Sequence, residues 1–196
     1  MSIPHLQLVQ PSRALPDGSD EELWTLAASG RRDAFELLVR RYLEPIRRYC
    51  TKLSGAARLG EELTQDTFVS LWGAAGRHPT VGSFRKFAFT VATNACRNLA
   101  RTAKRVSERE AAQGAPIVQA EELDKALAEV LLVRVLAEVG KLPEEQRVAV
   151  LLRYESGLSY AEISEISGCS EVTARSRVFL GLKKLRDQLK DEELDR

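Results

Sequence analysis

Apolar residues recur along this chain at three- and four-residue intervals, and no convincing stretch alternates with the period of a strand. The spacing predicts an all-α protein. Ser19 and Glu22 form a capping-box pair, so a first helix opens there, runs through Leu26 and stops at Gly30. A second helix is expected from about Asp33 to Leu53, with Phe35, Leu38, Tyr42, Ile46 and Tyr49 on one stripe and Ser54-Gly55 at its end. Pro45 lies inside that stripe. It has no N–H and crowds the preceding turn, so a kink or break is expected there. A third helix covers about Gly60 to Ala75, with Leu63, Phe68, Leu71 and Trp72 as its apolar members. A loop, GRHPTVGS, separates it from a fourth helix running from near Ser83 to about Arg105.

Residues 106–120, VSEREAAQGAPIVQA, lose this periodicity and read as a flexible linker. Another helix is expected from about Glu121 to Val139. Pro143 then stands as a first-position proline, followed by Glu144 and Glu145 in the first turn of a helix ending at Ser156-Gly157. Ser159 and Glu162 repeat the capping box ahead of a short helix that points Ile163 and Ile166 inward. Ser164 and Gly168 are small enough for a close helix crossing, and Gly168 also suits a tight turn. Ser170 caps a last helix with Ala174, Val178, Leu182 and Leu185 as its buried stripe. The chain thus divides into a tail over residues 1–18, expected to be disordered, a helical domain over 19–105, the linker, and a smaller helical domain over 121–190.

Length and composition agree with a globular reading. The 196 residues are 44% hydrophobic and 29% charged, enough for one domain or two small ones. Cys50, Cys96 and Cys169 are far apart and odd in number, with no zinc-ligand spacing, so neither a metal site nor a disulfide framework is expected. The first twenty residues lack the features of a secretion signal, and no 18-residue apolar window occurs. A cytoplasmic protein with no membrane insertion is expected.

The formal net charge of +1 hides a local imbalance. Between Phe84 and Arg105 stand Arg85, Lys86, Arg97, Arg101, Lys104 and Arg105 without an acid. Between Ser170 and Arg186 stand Arg175, Arg177, Lys183, Lys184 and Arg186 against Glu171 alone. Basic faces attract phosphates by releasing counterions. The two short helices of LSYAEISEISGCSEVTARSRV make a helix-turn-helix device, in which Arg175, Ser176, Phe179 and Lys183 lie opposite the buried stripe. That face fits a major groove, while Thr173 and Arg177 flank it and suit backbone contacts. In FRKFAFTVATNACRNLARTAKR, aromatics alternate with cations and with Asn94 and Asn98, a combination that can hold unstacked bases; core packing of Phe84, Phe87 and Phe89 is the plainer reading for some of them. GEELTQDTFVSLW differs: Glu61, Glu62, Gln65 and Asp66 stand beside Phe68, Leu71 and Trp72, a face suited to a protein with a basic surface.

Taken together, these segments resemble the bacterial sigma-70 family of RNA polymerase sigma factors, in its compact extracytoplasmic-function (ECF) form, over most of residues 20–190. RDAFELLVRRYLEPIRRYC is similar to region 2.1, EELTQDTFVSLW to region 2.2, SFRKFAFTVATNACRNLARTAKR to regions 2.3 and 2.4, and LPEEQRVAVLLRYESGLSYAEISEISGCSEVTARSRVFLGLKKLRDQL to region 4. The resemblance implies a factor that binds core RNA polymerase, directs it to promoters and helps melt the minus-ten element, with neither catalysis nor a cofactor. Glu61, Glu62, Gln65, Asp66, Phe68, Leu71 and Trp72 would bind polymerase, through its beta-prime clamp helices, with the beta flap as a further contact of the factor. Arg85, Lys86, Phe87, Asn94, Arg97, Asn98 and Arg101 would take single-stranded minus-ten DNA. Thr173, Arg175, Ser176, Arg177, Phe179 and Lys183 would read minus-thirty-five duplex. Relatives are often restrained by an anti-sigma protein, which makes one a candidate partner. The chain departs from the family pattern at Phe87, where Trp is usual, at Asn98, where Asp is usual, and at Thr90 and Thr93, which replace common basic residues; these positions bear on which promoter is read.

Two other classes fit less. A stand-alone helix-turn-helix regulator leaves the Gly60–Trp72 helix without a purpose. An enzyme finds little support: His5 and His78 lie in loop-like segments, no nucleophile–base set or Gly-rich phosphate loop occurs, and Glu61, Glu62 and Asp66 read as a docking face before a metal site.

Overall fold

The computed structural model describes residues 18–109 and 126–194, and among these the secondary structure consists of eight helices and no strand. They are α1 (Asp20–Ala28), α2 (Arg32–Ser54), α3 (Ala57–Ala74), α4 (Phe84–Arg109), α5 (Ala126–Lys141), α6 (Glu144–Tyr154), α7 (Tyr160–Ser167) and α8 (Glu171–Leu194). The expected tail lies outside the described residues except for Gly18, as does most of the expected linker. α4 runs four residues beyond Arg105, so the linker's first residues are helical.

Local signals set most helix ends. Ser19 Oγ accepts from the Glu22 N–H at 3.2 Å while the Glu22 carboxylate accepts from the Ser19 N–H at 2.9 Å, which closes the capping box of α1. Ser159 and Glu162 do the same for α7. Ser170 Oγ accepts from the Thr173 N–H at 3.1 Å at the start of α8. The start of α4 is held from a distance: the Glu21 carboxylate accepts from the Phe84 N–H at 2.9 Å, which joins α1 to α4.

Three expectations are corrected. Pro45 does not break α2, which is continuous from Arg32 to Ser54. Tyr42, Ile46 and Tyr49 are buried on either side of the proline, and their packing outweighs one missing hydrogen bond. Pro143 stands just before α6, as its N-cap, and not at its first position. Leu182 is 36% exposed; Gly181 takes the buried place instead, because a Cβ there would lie 2.7 Å from Val150 on α6. Gly168 is also needed for a reason other than tight crossing. It has φ +62° and open space around it, so its role is the left-handed turn between α7 and α8.

Helices α1 to α4 form an N-terminal lobe and α5 to α8 a C-terminal lobe. In the first, α2 packs extensively on α3 and also meets α1 and α4. Trp24 is its anchor. The ring is fully buried, donates from Nε1 to the His78 carbonyl at 2.7 Å, and lies 5.4 Å from both Phe84 and Phe87. In the second lobe α8 packs on α6 and α7 around Leu152, Leu158, Ile163, Ala174 and Val178. The lobes touch through α2 and α6 and through α4 and α7, so the buried residues form one continuous cluster.

Candidate nucleic-acid and protein interfaces

Helix α3 separates cleanly into two sides. Leu63, Thr64, Thr67, Phe68, Leu71 and Ala74 are buried against α2 and α4. Glu61, Glu62, Gln65 and Asp66 are all exposed, and with them Val69 at 66% and Trp72 at 40%. Leu71 is fully buried and Phe68 nearly so; Leu71 therefore supports the face from beneath and touches no partner, and Phe68 contributes only an edge. Val69 and Leu43, which the apolar stripe gave no reason to single out, are instead exposed. They flank a shallow groove between α2 and α3 floored by Phe68 and edged by Glu61, Gln65 and Arg47. An apolar groove with Glu61 on its edge, and with Glu62 and Asp66 exposed on the same helix, is what a basic, partly apolar protein surface needs to dock.

Helix α4 carries its polar groups on two adjoining strips. Asn94, Asn98 and Arg101 follow one another at four- and three-residue steps and are exposed. Phe87 shares that side, half-buried against Trp24 and 5.8 Å from the His78 ring. Its companions Phe84 and Phe89 are core residues, 0% and 1% exposed. Lys86 and Arg97 lie on the flank toward the C-terminal lobe. Lys86 meets Glu165, and Arg97, with only 15% of its side chain exposed, lies 3.6 Å from both Glu144 and Glu145. Arg85, at the start of the helix, donates to the Ser156 carbonyl. Thr93 does not face solvent at all. It is buried, hydroxyl to hydroxyl with Tyr49 at 2.8 Å, while also bonding the Phe89 carbonyl, so a Thr here serves the core. Burial holds the Tyr49 phenol far above its ordinary range, and the hydroxyl stays a protonated partner for Thr93. Cys50 and Cys96 meet in the same core; the contact with Cys50, then burial, pushes the Cys96 thiol well up, and it stays protonated.

On helix α8 most of the residues expected to read duplex DNA face solvent. Thr173, Arg175, Ser176, Phe179 and Lys183 are exposed, Phe179 at 65%. Val172 adds a second exposed apolar side chain, suited like Phe179 to a thymine methyl group. The Arg175 guanidinium is held 3.3 Å from Glu171 and 5.1 Å from the centre of the Tyr160 ring, which Arg153 also approaches, at 4.9 Å. Arg177 departs from expectation: it turns toward α6 and pairs with Glu145 at 2.7 Å, which leaves it only 25% exposed and off the reading face.

No group of three or more metal-ligating side chains occurs among the described residues, and no helix among them is long and apolar enough to cross a membrane. His78 works through its backbone carbonyl, on Trp24.

Residues 38–106 match the family model for sigma-70 region 2 and residues 132–185 that for sigma-70 region 4. The chain is 30% identical over 169 residues to the RNA polymerase sigma factor CarQ of Myxococcus xanthus, covering 85% of this chain and 95% of that one. It is 30% identical over 162 residues to the ECF RNA polymerase sigma factor SigK of Mycobacterium sp. (strain KMS), covering 80% and 83%. Among solved structures it resembles CnrH, in complex with the cytosolic domain of CnrY, with a TM-score of 0.69 and 25% identity over 89% of this chain and 99% of that one. The fold is also that of RpoE from Bartonella quintana, solved with the anti-sigma factor NepR, with a TM-score of 0.70 and 24% identity over 80% and 96%.

Proposed function

Since this chain belongs to the sigma-70 family of RNA polymerase sigma factors, in its ECF group, and is a promoter-specificity factor, we propose how its surfaces divide that work. The groove between α2 and α3 docks on core polymerase. Glu61, Glu62, Gln65 and Asp66 supply charge complementarity to the beta-prime clamp helices, and Leu43, Val69 and Trp72 supply apolar contact. Phe87, Asn94, Asn98 and Arg101, with Arg85, Lys86 and Arg97 alongside, take the unstacked bases and phosphates of the minus-ten element. Arg175, Ser176, Phe179, Thr173 and Lys183 read the minus-thirty-five duplex while the C-terminal lobe meets the beta flap. The working division follows the expected one: residues 19–105 for docking and minus-ten recognition, 121–190 for the upstream element.

The chain works in the cytoplasm, without catalysis of its own, by positioning. An anti-sigma protein is a further partner, in keeping with the solved structures of RpoE with the anti-sigma factor NepR and of CnrH with the cytosolic domain of CnrY.

The observation that carries this reading is the exposed face of α3. A regulator that needed only DNA gains nothing from displaying Val69 and Trp72 on one helix with the exposed carboxylates of Glu61, Glu62 and Asp66. Asp66→Lys should abolish co-elution with core polymerase while helix content measured by circular dichroism is unchanged. Undiminished co-elution removes α3 from the docking surface.

A further inference from the structure

The reading side chains of α8 all stand on one helix, so the setting of that helix about its own axis decides where each of them arrives in a groove. On the side turned inward, α8 offers little relief. Ala174, Val178, Gly181 and Leu185 are buried there, and two of them carry no more than a methyl group. Small residues let helices approach closely but supply few ridges to fix their rotation. Two contacts with α6 stand out against that smooth stripe. Arg177 Nη1 lies 2.7 Å from Glu145 Oε2, with most of the arginine side chain covered. One turn further along, the Gly181 backbone runs so close to α6 that a Cβ would lie 2.7 Å from Val150 Cγ2 and 3.5 Å from Gln146 Cβ. Positions 177 and 181 are four apart and share a face of α8, and Glu145 and Gln146 are neighbours on α6. The first contact is charged and directional, the second steric. Glu145 stands in the first turn of α6, where the helix dipole favours a carboxylate. Its other oxygen faces Arg97 at a longer 3.6 Å.

We propose that Arg177 and Glu145 are positioning residues for promoter recognition: their ion pair, with the close approach at Gly181 as its pivot, sets the rotation of α8 and so aims Arg175, Ser176 and Phe179 at base edges. Arg177 acts through those residues and touches no DNA itself. A rotation of α8 by about 20° carries a group on its outer surface by about 2 Å. A bidentate contact to a base edge tolerates much less than that. Phosphate contacts made by a long flexible side chain such as Lys183 follow the same rotation with little loss. The pair therefore governs discrimination between sequences more than affinity for duplex as such. The proposal rests on the assignment of α8 to the minus-thirty-five duplex.

The test uses holoenzyme assembled from the full-length chain and measures initiation on a preferred promoter and on single-base variants of its upstream element. Arg177→Gln and Glu145→Gln are each expected to lower the ratio of initiation on preferred to variant elements about fivefold or more. The double variant should fall no further than either alone, since both changes remove the same contact. Initiation on the variant elements should change little. Ile163→Val loosens the buried core of the same lobe away from the pair; it should lower the urea midpoint and leave the ratio intact. Additive losses in the double variant, a parental ratio in either single variant, or an equal loss of ratio in Ile163→Val each overturns the positioning role. An equal loss on every element for Arg177→Gln alone also overturns it, and marks Arg177 as a phosphate contact. Failure of the underlying assignment reads differently: a parent that initiates equally on all upstream elements, with Arg175→Ala no different from it, removes α8 from the upstream element and the proposal with it.

Discussion

Arg175 projects from α8 with 65% of its side chain exposed, yet Glu171 and the Tyr160 ring hold its guanidinium in place before any DNA arrives. A long side chain already held near its working geometry loses less rotamer freedom on binding. Removing the ring while keeping the arginine should therefore weaken recognition. Tyr160→Leu is expected to lower affinity for the preferred upstream duplex about two- to fivefold, the ~0.5–1 kcal/mol of an exposed cation–π contact. Tyr160→Phe should keep the parent affinity. Arg175→Ala should cost about 1–3 kcal/mol on the preferred sequence and little on others. Fluorescence anisotropy on a set of single-base variants reads all three, and a uniform loss across sequences for Arg175→Ala would mark a phosphate contact instead.

Glu162 adds a dependence on acidity at the same scale. Burial raises its carboxyl, but the Ser159 N–H and hydroxyl, with the charges of Arg85 and Lys86, outweigh that and hold it below the usual carboxylate range. A carboxyl depressed by folding stabilises the native state above its unfolded value of about 4.3, and that contribution is lost as pH falls through the native value. Thermal denaturation should therefore show Glu162→Gln less stable than the parent at neutral pH, with the gap closing below about pH 4. A gap that is constant with pH would detach the effect from ionisation.

At the scale of elements, the crossing of α2 and α3 is the most constrained contact. A Cβ on Gly60 would lie 2.0 Å from Thr51 Oγ1 and 2.7 Å from Thr51 Cα, and backbone cannot move aside as a side chain can. Gly60→Ala is expected to destabilise by about 1–3 kcal/mol or more, seen as a lower urea midpoint. Val69→Glu, on the exposed side of α3, should leave the midpoint unchanged and impair polymerase binding. This contrast shows what the sequence discloses and what it does not. The caps at Ser19, Ser159 and Ser170 were legible because a cap is decided within four residues. The outward set on α8 was legible because a 3.6-residue period fixes which positions oppose a buried stripe. Pro45, Gly181 and Arg177 were not, because each answers to a distant neighbour: the packing of α2, Val150 on α6, and Glu145. Leu71 and Val69 are both apolar positions of α3, and only the placement of α2 decides which is covered.

For the whole molecule, the seam between the lobes brings partly exposed ion pairs together over a small apolar strip. Exposed pairs contribute about 0.2–1 kcal/mol each and weaken with salt. A handful of them adds a few kcal/mol to the packing of one lobe on the other.

Each of the proposed surfaces is assigned to one part of promoter-directed initiation. The most direct measurement is multi-round run-off transcription from a genomic promoter library by purified core polymerase, with and without this chain. Addition of the chain should produce transcripts from a limited set of templates that share one upstream and one minus-ten sequence, and that set should shift when Arg175 is replaced. Transcripts indistinguishable from those of core polymerase alone would contradict it.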